Sequence, residues 1–135
     1  MSSLIISERR VDGVMILDLV GDIRLGQENA DLHNTIRKVV ENGEKNILLN
    51  LAQVSKIDSS GLGELVAAWT TLRKNDGEAK LLNLTQTVEH LMTLTKLLTV
   101  FDTYENEADA VASFQSKATG PLDGEIWNNA ETSLN

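Results

Sequence analysis

Along the chain the apolar residues change their period several times, and each change marks an element. Leu4-Ile5-Ile6 and Val14-Met15-Ile16-Leu17-Asp18-Leu19-Val20 are strand-like runs on either side of Asp12-Gly13. Asp-Gly tolerates the positive φ of the tight turn that strand twist favours, so an opening antiparallel hairpin is predicted. From Gly26 the spacing becomes helical, with Leu32, Ile36, Val39 and Val40 on one face, Gln27 or Asn29 near the start and Asn42-Gly43 as the stop. Ile47-Leu48-Leu49-Asn50-Leu51 is almost wholly apolar, which predicts a strand covered on both faces. Behind Asp58-Ser59-Ser60-Gly61, the residues Leu62, Leu65, Val66, Trp69 and Leu72 form a helical stripe that ends at Asn75-Asp76-Gly77.

A third block repeats the alternation. Ala79–Leu84 reads as a strand, and Val88, Leu91, Met92 and Thr95 as the face of a helix. Leu97-Leu98-Thr99-Val100-Phe101 reads as a final strand, or a helix end joined to one, and Ala108, Val111, Ala112 and Phe114 as a last helix. Strands alternating with helices require crossover connections, so the expected class is α/β with a largely parallel sheet. The period stops after residue 115: the stretch 116–135 is rich in Ser, Thr, Gly, Asn and Glu and holds the one proline, Pro121. Residues 1–115 are therefore expected to form the domain and 116–135 a disordered or loosely docked tail. Trp127 is read as a stray exposed aromatic of that tail, with docking into a groove of the domain as the other reading.

Composition narrows the function classes. With 135 residues and 41% apolar content there is one core, and twelve basic against twenty acidic residues give a net charge of −8. No basic block is present, which disfavours nucleic acid or an anionic membrane as partner. The absence of cysteine excludes disulfides, thiolate metal sites and a cysteine nucleophile. No run approaches the about 18 apolar residues of a membrane span, and the N-terminus does not read as a signal peptide. The expectation is a cytoplasmic protein.

Enzyme chemistry finds little support. His33 and His90 stand alone, with no metal-binding spacing, and read as surface or boundary residues. Gly21-Asp22-Ile23-Arg24-Leu25-Gly26 lacks the glycine spacing of a dinucleotide loop, and Gly61-Leu62-Gly63 lacks the third glycine and the lysine of a phosphate cradle. No G-x-S-x-G elbow is present, so a hydrolase would need Ser59 or Ser60 with a distant histidine. No catalytic residue, metal or cofactor is assigned.

Lys56-Ile57-Asp58-Ser59-Ser60-Gly61-Leu62-Gly63 remains. It follows a buried-type strand and opens the strongest helix, so its hydroxyls and free backbone N–H groups are presented at a helix N-terminus. A phosphate there meets the helix dipole favourably, at about 0.3–2 kcal/mol per charge. It also places about −1.5 to −2 charges on the surface shown to a partner. Two readings stand side by side: Asp58, Ser59 and Ser60 cap a helix, or Ser59 is a phosphorylation switch that leaves the fold intact.

These residues resemble the STAS domain of the anti-sigma factor antagonist family. The resemblance runs from about Leu4 to Phe114 and rests on the hairpin ending in Leu19-Val20-Gly21-Asp22-Ile23, the helix closing at Asn42-Gly43, the strand Ile47–Leu51 and, above all, Asp58-Ser59-Ser60-Gly61-Leu62-Gly63 leading into a helix. It implies a STAS fold, a mixed and mostly parallel sheet of four to five strands flanked by about four helices. It further implies a non-enzymatic regulator that, when unphosphorylated, captures an anti-sigma factor with serine kinase activity and frees the sigma factor. That kinase would phosphorylate Ser59, and a metal-dependent serine/threonine phosphatase would restore it. The implied partner surface is Asp58, Ser59, Ser60, Gly61, Leu62 and Gly63 with the turn residues Asp22 and Arg24. Asp58 would orient the loop, and Gly61 and Gly63 would leave the helix start open to close approach. Many relatives carry an acidic or apolar pair and then a small hydroxyl residue at that turn, where this chain reads Ile23-Arg24-Leu25-Gly26-Gln27-Glu28. The alternatives are a STAS scaffold without a switch, in a signalling or lipid-transport complex, and a small hydrolase or nucleotide-binding enzyme. A homo-oligomer is compatible with the sequence but not expected from it.

Overall fold

The computed structural model describes residues 4–24 and 26–118. The hairpin forms as predicted, with β1 over Ile5–Val11 and β2 over Val14–Ile23, Val11 paired to Val14 and Ile5 to Val20. Its turn has positive φ at both Asp12 (49°) and Gly13 (82°), the geometry the Asp-Gly pair makes affordable. Helix α1 (Gln27–Glu41), β3 (Asn46–Ile57), α2 (Ser59–Lys74), β4 (Glu78–Leu82), α3 (Gln86–Leu94), β5 (Thr103–Tyr104) and α4 (Glu107–Ala118) follow.

The strands lie in chain order across one sheet, with β1 antiparallel to β2 and every later neighbour parallel. Parallel neighbours need crossovers, and right-handed crossovers stepping always toward the same edge place their helices on one face. Accordingly α1, α2 and α3 share a core with Leu17, Leu19, Ile47, Leu49, Leu51 and Leu81, while the alternate residues Val14, Ile16, Leu48 and Leu82 meet Ala110, Val111 and Phe114 of α4 on the other face. This two-sided cover explains why Ile47-Leu48-Leu49 is buried without alternation.

Three expectations are corrected. Leu97–Phe101 is not a strand: Leu97–Thr99 forms a short 3-10 turn after Lys96 at φ 62°, and the edge strand comes two residues later. A five-residue apolar run has no period that separates the two states, and here Leu97 and Leu98 pack half-buried beneath the core while Phe101 is buried. On α4 the buried face is Ala110, Val111 and Phe114, with Ala108 and Ala112 exposed. The same helix continues to Ala118, three residues past the expected boundary at 115; the rest of the tail, Trp127 included, lies outside the described residues.

The α2 stripe is also narrower than its sequence implies. Leu62, Leu65 and Leu72 are buried, joined by Ala68, whereas Val66 and Trp69 are half-buried. Trp69 stacks edge-on against Phe101 at 6.3 Å and carries Arg73 over its ring at 4.9 Å. Leu65→Ala is therefore expected to cost about 2–5 kcal/mol, and Trp69→Ala to fall nearer the low end because its ring keeps solvent contact. Chemical denaturation of both variants checks this order, and a larger loss for Trp69→Ala would contradict the packing described.

Candidate functional site

Strands β2 and β3 run side by side to the same end of the sheet, Ile23 pairing with Ile57, and the next residue, Asp58, turns the chain into α2. Asp58 is the N-cap. Its backbone N–H donates to the Ile23 carbonyl (3.3 Å), its side-chain Oδ1 accepts from the Gly61 N–H (2.8 Å), and its carbonyl accepts from the Leu62 N–H (2.9 Å). One residue thus satisfies the helix start and ties it to the end of β2.

The cap is made by Asp58 alone, so the capping reading does not extend to the two serines. Ser59 and Ser60 occupy the first two helical positions and are exposed. The Ser59 hydroxyl makes no hydrogen bond to any described residue.

The two glycines have opposite surroundings. A Cβ on Gly61 would lie 2.1 Å from the Ile23 carbonyl oxygen and 2.8 Å from its carbon, so only glycine lets α2 approach β2 this closely. A Cβ on Gly63 would meet nothing within 4 Å. Of the residues the sequence assigned to a partner surface, Gly61 and Leu62 are buried and Asp58 is half-buried, leaving Ser59, Ser60 and Gly63 exposed together on α2.

At the adjoining end of β2 the assigned turn residues separate in the same way. Asp22 is buried, accepting a hydrogen bond from the Ser55 hydroxyl (3.0 Å) and an ion pair from Arg24 (3.3 Å), while Arg24 is exposed. Asp22 therefore acts on this surface through Arg24 and Ser55. Lys56, opposite Asp22 in the strand register, adds a second exposed cation.

His33 is exposed on α1, its Nδ1 3.4 Å from Glu64 of α2, and His90 is exposed on α3. A cavity of about 190 Å³ lies between those two helices, lined by residues that include His33, Arg37, Glu64 and Thr71. Among the described residues no group of three His, Asp or Glu side chains is placed to hold a metal ion, and no helix is long and apolar enough to cross a membrane.

The STAS domain family profile matches residues 6–110, which takes in every strand and the Asp58 loop. The chain belongs to the STAS domain family. Over 108 residues it is 27% identical to BtrV of Bordetella bronchiseptica, a candidate anti-sigma factor antagonist, covering 79% of this chain and 91% of that one. The fold is shared with an anti-sigma factor antagonist from Mycobacterium paratuberculosis at a TM-score of 0.72 and 24% identity, over 84% of this chain and 95% of the other. It is shared also with the Bacillus cell fate determinant SpoIIAA in its phosphorylated form, at a TM-score of 0.65 and 20% identity over 81% and 98% of the two chains.

In this STAS domain a polar cluster away from the Asp58 loop holds α4 on the sheet. Arg9 of β1 makes paired bonds to Asp18 of β2 (2.6 and 3.1 Å) and to Glu107 of α4 (2.6 and 3.0 Å), and Asn50 of β3 donates to Asp18 (2.8 Å). The Arg9 hydrogen bonds hold the Asp18 and Glu107 carboxyls below the usual carboxylate range. Groups lowered in the folded state stabilise it above their unfolded pKa, about 4, and lose that contribution as pH falls through the folded values. The melting-temperature gap between wild type and Arg9→Gln is thus expected to be full near pH 7 and to close in acid. A gap of constant size down to pH 2 would contradict it.

Lys80 is a residue the sequence reading missed. It sits in β4 and is buried, donating to Ser113 (2.8 Å) beneath the Phe114 ring (4.6 Å), with Tyr104, Glu78 and Asp102 around it. A lysine inside an alternating strand reads as solvent-facing, and only the docking of α4 reverses that.

Proposed function

We propose that this STAS domain is an anti-sigma factor antagonist that works as a phosphorylation-controlled binding protein, with no catalytic role. The carrying observation is the exposed Ser59 hydroxyl at the first position of α2, excluded from the cap by Asp58 and flanked by the open Gly63. An exposed mid-helix glycine costs about 1 kcal/mol relative to alanine, and no described residue approaches it to explain that cost. A partner surface lying close against α2 explains it. The relatives named above support the antagonist role, and SpoIIAA, of the same fold, has a phosphorylated form.

Unphosphorylated, Ser59, Ser60, Gly63 and Arg24 meet an anti-sigma factor that is also a serine kinase, and the sigma factor is released. The kinase transfers the terminal phosphoryl group of ATP to Ser59 Oγ; the hydroxyl proton passes to a base on the kinase and ADP departs. The dianion finds free amides and the positive helix end within the domain, so the fold tolerates it, yet the partner surface does not. A metal-dependent serine/threonine phosphatase resets the cycle, which takes place in the cytoplasm. Incubation with ATP and candidate kinase-type anti-sigma proteins, followed by mass spectrometry of the tryptic peptide from Ile57 to Arg73, tests this. One phosphate on Ser59 with loss of the complex is expected; no phosphate and no complex with any candidate would return the domain to a scaffold without a switch.

A further inference from the structure

The residue after the end of β2 is a cation held against the switch loop. The Ile23 carbonyl, which accepts the Asp58 N–H and against which Gly61 packs, belongs to the peptide bond that leads into Arg24. The backbones of Arg24 and of the Asp58-Ser59 turn are thus fixed by the same peptide group. The Arg24 guanidinium is exposed and pairs with Asp22 at 3.3 Å through one nitrogen, a longer contact than the paired bonds Arg9 makes. Asp22 keeps a second partner in Ser55.

We propose that Arg24 is the internal counter-charge of phosphorylated Ser59, exchanging Asp22 for the phosphate when the switch is thrown. The inference rests on the reading that Ser59 is the phosphorylated residue. A phosphate offers nearly two charges and three acceptor oxygens, and a planar guanidinium binds two of those at once, whereas Asp22 offers one charge and already accepts from Ser55. Phosphorylation then withdraws two features of the docking surface together, the Ser59 hydroxyl and the Arg24 cation, without moving an element. Asp22, left with Ser55, stays in place. Lys56 is the competing cation on this edge and the natural control.

Phosphoserine installed at position 59 by an expanded genetic code separates this inference from the identity of the kinase. The second ionisation of its phosphate is followed by phosphorus NMR in the otherwise wild-type chain and in Arg24→Gln, Arg24→Lys and Lys56→Gln. In the wild-type background the midpoint is expected below the about 6 of free phosphoserine. Arg24→Gln is expected to raise it by about half a unit or more, Arg24→Lys to raise it less, and Lys56→Gln to leave it nearly unchanged. The Arg24 side-chain Nε resonance is also expected to shift between the unmodified and phosphorylated proteins. An unmoved midpoint in Arg24→Gln, or a larger shift in Lys56→Gln, would overturn the role of Arg24. Failure of every kinase to label Ser59 would overturn the switch and leave these titrations as they are.

Discussion

Gly61→Ala is expected to cost the fold about 3 kcal/mol, a fall of roughly 10–15 °C in melting temperature, while Gly63→Ala, two residues along the same helix, is expected to leave it unchanged or up to about 1 kcal/mol more stable. The contrast follows from what each methyl group would meet. At Gly61 it would overlap the Ile23 carbonyl, a backbone group fixed by the β2–β3 pairing, so α2 as a whole must retreat and the Asp58 cap is pulled away from β2. At Gly63 it enters open space and only improves helix propensity. Partner binding reverses the order of interest: Gly63→Ala should weaken complex formation in a protein that is folded and stable. Thermal melts of the two variants, with a binding measurement on Gly63→Ala, check both halves. A Gly61→Ala variant as stable as wild type would mean that α2 does not rest on Ile23.

Ser59→Asp carries the second large effect, on binding instead of stability. The substitution adds one negative charge at an exposed first helical position, where it faces the helix dipole, so the far-UV spectrum and melting temperature should stay close to wild type. At a desolvated interface the same charge lacks a partner, and affinity for the kinase-type anti-sigma protein is expected to fall by about 2 kcal/mol or more, roughly 30-fold. Ser59→Ala, which removes only a hydroxyl with no bond to a described residue, should keep binding and lose phosphorylation. Loss of fold in Ser59→Asp would contradict a purely local switch, and a full phosphate signal on Ser59→Ala would move the site to Ser60 or elsewhere.

The readable parts of this fold are those whose signal is local. Asp12-Gly13 fixes a turn through backbone conformation, Asn42-Gly43 ends a helix, and Leu62, Leu65 and Leu72 repeat over three turns, so each appears where the pattern places it. Leu97–Phe101 was illegible because five apolar residues fit either period, and its state was decided by packing beneath the core. The face of α4 was misread by small residues: alanine marks no face strongly, and burial of Ala110 over Ala108 or Ala112 depends on where Phe114 and Val111 meet the sheet. Lys80 shows the same dependence, since its burial exists only once α4 supplies Ser113 and Phe114.

At the candidate site the motif identified the segment but not the division of labour within it. From sequence alone Asp58, the serines and both glycines form one docking string. In the structure Asp58 and Gly61 build the junction with β2, Leu62 joins the core, and Ser59, Ser60 and Gly63 face outward. Asp22 and Arg24 divide in the same manner, the carboxylate inside and the guanidinium outside. These distinctions depend on which strand end the helix rests upon, which is a tertiary contact between residues far apart in the chain.

The most direct measurement is the affinity of one anti-sigma partner for two preparations of this protein, unmodified and carrying phosphoserine at position 59 in full stoichiometry, by titration calorimetry under identical conditions. Tight binding of the unmodified protein and at least a roughly 30-fold weaker complex with the phosphorylated one, both preparations melting at nearly the same temperature, is the expected result. Equal affinity of the two would contradict a switch at Ser59.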